Sequence, residues 1–218
     1  MRSNTKSPFL TTVFAFSPIM IYDDGCLNVI LHCNQITNQH KKLNIMDTTI
    51  TQNNTTKTTT MDAKIGISKE NRQAVADQLA KLLADEFVLY TKTRNAHWNI
   101  EGPDFHSMHI FFEGQYQQLD ELMDSVAERI RKIGHYAPGT LTQVLQLTHL
   151  TEYGEGKNDS LGFIKELLED HESIIEFLRG NINPFADTYK DLGTSDYITG
   201  LMEKHEEMAW MLRAHFRK

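Results

Sequence analysis

The chain has 218 residues, enough for one domain with a full core and too few for two of ordinary size. Forty per cent hydrophobic and 23% charged residues are ordinary for a soluble globular protein, and no run of about 18 uncharged apolar residues argues for a membrane span. The net charge of −7 is unevenly placed, +2 over residues 1–60 and −9 over the rest, so the C-terminal part attracts cations and opposes direct contact with nucleic-acid phosphate.

Residues 9–22 are apolar and follow Arg2 and Lys6, but Pro18 interrupts them and no small-residue cleavage site follows. This is not the pattern of an export signal, and a cytoplasmic protein is expected. Cys26 and Cys33 both lie in this N-terminal segment and form neither a disulfide framework nor a metal set for the remainder. Residues 47–63 read DTTITQNNTTKTTTMDA, a polar tract that cannot bury enough apolar surface to order itself. Residues 1–63 are therefore expected to be a disordered tail, with Met46 or Met61 as alternative starts, and residues 64–218 one folded domain.

Helical periodicity begins at Ser68, an expected N-cap, with Val75, Leu79, Leu82 and Leu83 on one stripe of a helix reaching about Asn95. Gly102 and Pro103 break the chain, and Asp104 is expected to cap a second helix. Phe112, Tyr116, Leu119, Met123, Val126, Ile130 and Ile133 alternate steps of four and three, a seam that packs against other helices. Gly134, Pro138 and Gly139 end it, and a long connection to about Asn158 carries a short helix around residues 145–149. A third long helix is expected over residues 160–179 with Leu161, Ile164, Leu168, Ile175 and Leu178 inward. Asn183 and Pro184 break it, and Thr194 or Ser195 is expected to cap a fourth with Leu201, Met208 and Leu212 on one side. The fold class is all-α, a four-helix bundle with one long central connection.

The second helix carries two pairs of metal-type side chains, His109 with Glu113 and Asp124 with Glu128, each spaced so that its members are neighbours on a helix surface. The step from Glu113 to Asp124 turns about 1100°, about 20° from three full turns, so all four share one stripe. It also climbs about 16 Å, too far for one metal centre. A second copy running antiparallel about a two-fold axis near Gln118 and Leu119 lays His109 and Glu113 beside the partner's Asp124 and Glu128. Acidic helix stripes are ordinarily solvated faces. Here His97, followed by Trp98, ends the preceding helix and adds a second imidazole, and imidazole with carboxylate suits iron and is acceptable to zinc and manganese.

Other histidines read as structural. His171 and His205 fall in phase with core stripes, where a hydrogen-bonded histidine is expected, while His106 and His135 sit near helix ends and are expected to be exposed. Trp98 and Trp210 read as packing anchors, with a redox role for Trp98 as the alternative. None of the ten histidines follows a glutamate by three residues, which disfavours an intrachain di-iron centre. No H-E-x-x-H helix, phosphate loop or nucleophile elbow is present.

The run TRNAHWNIEGPDFHSMH, the later DSVAERI, the APGT loop and TSDYITGLMEKHEEMAWML resemble the Dps family, ferritin-like mini-cages named as DNA-binding proteins from starved cells, from about residue 66 onward. The resemblance implies a dodecamer of four-helix subunits with ferroxidase centres at two-fold interfaces, where His97, His109 and Glu113 of one subunit meet the partner's Asp124 and Glu128. The family more often has Asp at the place of Glu113. Asp191 and Asp196 match acidic residues of three-fold pores that admit iron; by themselves they read as loop charge and a helix N-terminal acid. The implied activity is oxidation of Fe(II), with hydrogen peroxide favoured over dioxygen, and storage of ferric mineral. Two rivals stand beside it. One is nonspecific DNA binding through a basic tail, whose Arg2, Lys6, Lys41, Lys42 and Lys57 are scattered over sixty residues. The other is a zinc hydrolase using His97, His109 and Glu113, for which the sequence offers no separate general base.

Overall fold

The computed structural model describes residues 63–152 and 158–216. The expectations for residues 1–62, including Cys26, Cys33 and the basic residues of the tail, lie outside the described residues. Within them the chain is helical, with no strand and no helix long and apolar enough to cross a membrane.

Helix α1 (Lys69–Asn99) starts where Ser68 accepts the Asn71 N–H at 3.2 Å. Its expected stripe of Val75, Leu79, Leu82 and Leu83 is buried, and it runs four residues past Asn95 because nothing opposes the helix before Gly102 and Pro103. Gly102, at φ 129°, makes the turn into α2 (Phe105–Lys132). Asp104 precedes α2 without capping it: its carboxylate accepts the Ser160 hydroxyl at 2.6 Å, tying the start of α2 to the start of a later helix. Along α2 the seam is as read, with Phe112, Leu119, Val126, Ile130 and Ile133 buried and Tyr116 and Met123 partly so.

The short helix α3 (Leu141–Leu147) begins four residues earlier than expected, because Thr140 and Gln143 form a reciprocal capping box. It ends at Thr148, whose hydroxyl, together with the His149 N–H, donates to buried Asp85 of α1 at 2.7 and 2.6 Å. Helix α4 (Ser160–Asn183) is capped by Asp159 and continues to Pro184 rather than Arg179. Its inward register also differs from the sequence reading. Leu161 is 54% exposed, and Phe163, Ile164, Leu167, His171, Ile174 and Leu178 form the buried stripe, since Ile164 and Leu178 fit two neighbouring 3.6-residue stripes and packing chose the other one. After a π-type turn, α5 (Leu192–Arg213) is capped by Asp191, not by Thr194 or Ser195.

Helix α1 packs mainly on α2 and α4 on α5, with α3 laid against α1 and a further contact between α1 and α4, so one apolar core joins all four long helices. Through it runs a polar chain. His205 of α5 has Nε2 2.8 Å from Glu86 of α1 and Nδ1 3.0 Å from Nδ1 of His171 on α4, all three at 0% exposure. The two histidines are thus hydrogen-bonded core residues, as their spacing suggested. Close to Glu86, burial pushes the Tyr197 hydroxyl up to about 12, against the lowering effect of its bond to Ser125. His135 corrects the sequence reading: it is fully buried because Gly134, at φ 92°, folds the chain back so that the His135 N–H reaches the Ile130 carbonyl at 3.1 Å. Trp98 and Trp210, at 63% and 61% exposure, are not buried anchors of the core among the described residues.

Candidate metal centre

His97 lies in the last turn of α1, where backbone carbonyls lack intrahelical partners. The tight turn at Gly102 brings the first two turns of α2 beside it, and the rings of His97 and His109 stack at 3.7 Å with 20° between planes. Each Nδ1 sits 2.8 Å from the other residue's backbone carbonyl, a reciprocal pair of bonds in which Nδ1–H must donate. That fixes the tautomer of both imidazoles and leaves each Nε2 as a lone pair, the arrangement by which outer hydrogen bonds prepare histidine for a metal ion. Phe105 stacks on the far face of His109 at 5.2 Å, and the Tyr116 ring meets His97 edge-on at 5.2 Å.

Glu113 follows His109 by one turn, partly buried, with Oε1 accepting the Tyr116 hydroxyl at 3.3 Å. Asp124 and Glu128 lie three turns further along α2, about 16 Å away along the axis. Glu128 pairs with Lys132 at 2.9 Å with both side chains more than half exposed, a bond that a stronger cation displaces at little cost. Asp124 sits on the rim of a depression of about 500 Å³ floored by Leu83, Phe87, Met123 and Val144. Among the described residues no group of three or more His, Cys, Asp or Glu is placed to hold a metal ion. One chain therefore brings together the imidazole half of the predicted set and holds the carboxylate pair apart from it.

Residues 76–218 match the ferritin-like domain family. The chain is 42% identical over 150 residues to an uncharacterized low temperature-induced protein of Nostoc sp. PCC 7120, covering 69% of this chain and 84% of that one. It is 33% identical over 144 residues to DNA protection during starvation protein 2 of Bacillus anthracis, covering 66% of this chain and 97% of that protein. The chain belongs to the Dps family of ferritin-like proteins. Among solved structures it is similar to the Dps protein of Vibrio cholerae O1, described as a member of a broad superfamily of ferritin-like diiron-carboxylate proteins, at 28% identity and TM-score 0.67 over 71% of this chain and 96% of that chain.

Within this Dps chain the two acids expected at pores, Asp191 and Asp196, have unlike surroundings. Asp196 is exposed near the start of α5. Asp191 is 2% exposed, and its carboxylate accepts the Thr194 N–H at 2.9 Å, the Thr194 hydroxyl, and Arg129 at 3.4 Å, while Arg129 also donates to Thr194. In the single chain Asp191 acts as an N-cap and a latch between α2 and α5. Asp191→Ala is expected to lower stability by about 1–2 kcal/mol, read as a lower urea midpoint at unchanged slope.

Two groups, Arg94 beside the imidazole pair and Glu86 in the core, escaped the sequence reading. Arg94, one turn before His97, has no obvious meaning in a pattern, yet its guanidinium lies over Tyr116 at 4.5 Å and Trp98 at 5.2 Å. Glu86 was legible in principle, as a carboxylate three residues after Leu83 and in phase with the apolar stripe.

Proposed function

We propose that this protein oxidises ferrous iron at centres shared between subunits of a dodecameric cage and stores the product inside as ferric mineral. The observation that carries the reading is the locked imidazole pair. Two stacked histidines with both Nδ1 protons committed to carbonyls leave two Nε2 lone pairs for a metal ion, and they do so beside one end of a helix whose other end carries Asp124 and Glu128. An antiparallel copy of α2 completes the set, with His97, His109 and Glu113 meeting Asp124 and Glu128 of the second chain. Oxygen and nitrogen donors of this kind hold ferrous iron, and a ligand set this sparse leaves coordination open for an oxidant.

Iron is the substrate here, and hydrogen peroxide the favoured oxidant. Two ferrous ions held together supply both electrons that cleave the O–O bond, so no hydroxyl radical need escape. The carboxylates neutralise the incoming dications and the net charge of −9 outside residues 1–60 draws them in, with Asp196 as an acid at the iron pores. Trp98, exposed beside His97, serves as an oxidisable side chain near the metal. Removal of iron and peroxide together protects DNA without requiring contact with it, and a cytoplasmic location goes with that role. The B. anthracis relative's name, a DNA protection protein, agrees with this outcome.

Native mass spectrometry of the full chain, followed by anaerobic loading with ferrous iron and addition of peroxide, tests the reading. The expected result is a twelve-chain particle that oxidises about two ferrous ions per peroxide, since each iron gives one electron. A monomer that leaves ferrous iron unoxidised overturns it. A particle that turns over faster with dioxygen than with peroxide overturns the choice of oxidant.

A further inference from the structure

Glu113 is a carboxylate on a flexible arm, and holding such an arm in one rotamer for a metal ion costs conformational entropy unless something already holds it. The structure supplies that hold. The Tyr116 ring is fixed on several sides: the Arg94 guanidinium lies on its face at 4.5 Å, Tyr90 meets it edge-on at 6.3 Å, and His97 packs against it at 5.2 Å. Arg94 is itself tethered, donating to the Tyr90 hydroxyl at 2.8 Å. With the ring immobile, the phenol oxygen has a fixed place, and from there it donates to Oε1 of Glu113 at 3.3 Å, while Gln117 Nε2 approaches the same oxygen at 3.5 Å. The contact is long for an O–H···O bond, which lets the carboxylate adjust as a cation arrives. Both donors choose Oε1. Among the described residues Oε2 has no hydrogen-bond partner.

We propose that Tyr116 is a positioning residue of the iron centre: it anchors Glu113 through Oε1, leaves Oε2 as the ligating atom, and braces His97 with its ring. This rests on the function proposed above and adds a residue to it. Tyr116 touches one imidazole and one carboxylate of the half-site at once, so it ties the geometry of α1 to that of α2 where the two must agree. Outer hydrogen bonds to ligating groups are worth about ten- to hundredfold in metal affinity, which sets the scale of the effect.

The test is a double-mutant cycle read by anaerobic calorimetry of ferrous iron binding to the assembled full-length protein, using the parent, Tyr116→Phe, Glu113→Asp and the double variant. Tyr116→Phe keeps the ring and removes only the hydroxyl. It is expected to weaken ferrous binding about tenfold when Glu113 is present and by less than about twofold in the Glu113→Asp background, where the shorter arm does not reach the hydroxyl. Equal weakening in both backgrounds overturns the proposal, because it marks a general packing effect. So does unchanged binding, and so does tighter binding, which marks a hydroxyl that holds the carboxylate away from iron. Glu113→Ala separates the two levels. If it binds iron as tightly as the parent, Glu113 is no ligand and the shared-centre reading falls together with this one. If it loses binding while Tyr116→Phe is silent, the positioning role alone is overturned.

Discussion

A chain carrying His97→Ala and His109→Ala is expected to lose ferrous oxidation by about a hundredfold or more, and so is a chain carrying Asp124→Ala and Glu128→Ala, since losing ligands exceeds the cost of losing their outer partners. The informative measurement is the mixture. In a two-fold pair of the two variants, one centre receives both defects and the other receives none: the second chain's intact imidazoles face the first chain's intact carboxylates. Random pairing of equal amounts makes about half of all pairs mixed, so co-expression is expected to restore about a quarter of the parent activity. A centre built within one chain predicts no recovery. In the first variant loss of binding rather than misfolding is expected, because the turn between the helices is held independently of the His97–His109 stack by buried Ile100 and the positive φ of Gly102.

What the sequence revealed and what it withheld divide along a physical line. Periodicity along α2 was unambiguous because its seam alternates steps of four and three for more than twenty residues, and every seam position is buried or partly buried. On α4 the apolar residues are abundant enough to support two adjacent stripes, and only tertiary packing, in which Phe163 meets Phe112 of α2, decides between Leu161 and Phe163. Ser68 and Asp104 both stand directly before a helix, and the cap forms at Ser68 but not at Asp104, where a competing partner, Ser160, takes the carboxylate. The separation of the two ligand pairs followed from helix geometry alone. The mutual carbonyl bonds of His97 and His109 did not, because they depend on how sharply the chain turns between helices. Tyr116 was read as one more seam residue; its phenol group is visible as a functional contact only once Arg94 and Glu113 are placed around it.

Acid is expected to destabilise this fold well before its carboxylates titrate, and the buried chain from Glu86 through His205 to His171 is the main cause. Burial, and secondarily the electrostatic effect of neighbouring His205, hold His171 well below its ordinary value of 6.5. Among the described residues His171 Nε2 and Glu86 Oε2 have no hydrogen-bond partner, so a proton added to His171 has no acceptor there to meet. In the unfolded chain the same imidazole takes up its proton near 6.5. Between the two values the unfolded state binds a proton that the native state does not, so stability falls as pH falls below about 6.5, by about 1.4 kcal/mol per pH unit for each such group. His135, lowered first by burial and then by Arg72, acts in the same direction. Asp170, raised by burial against the lowering effect of Lys92, acts in the opposite one, and only below its raised folded value, where the native carboxyl is protonated first. Melting temperature measured from pH 7.5 to 5.5 is expected to hold down to about pH 6.5 and then to drop by about 3–5 °C per unit for each histidine engaged, at about 2–4 °C per kcal/mol. In His171→Leu the slope should flatten by one proton's share even if its absolute stability differs. Glu86→Ala, which strands the His205 Nε2 group in the core, should cost about 3 kcal/mol at neutral pH. Parallel pH slopes for the parent and His171→Leu would show that the chain takes up its proton without opening, and would remove His171 as the source of acid lability.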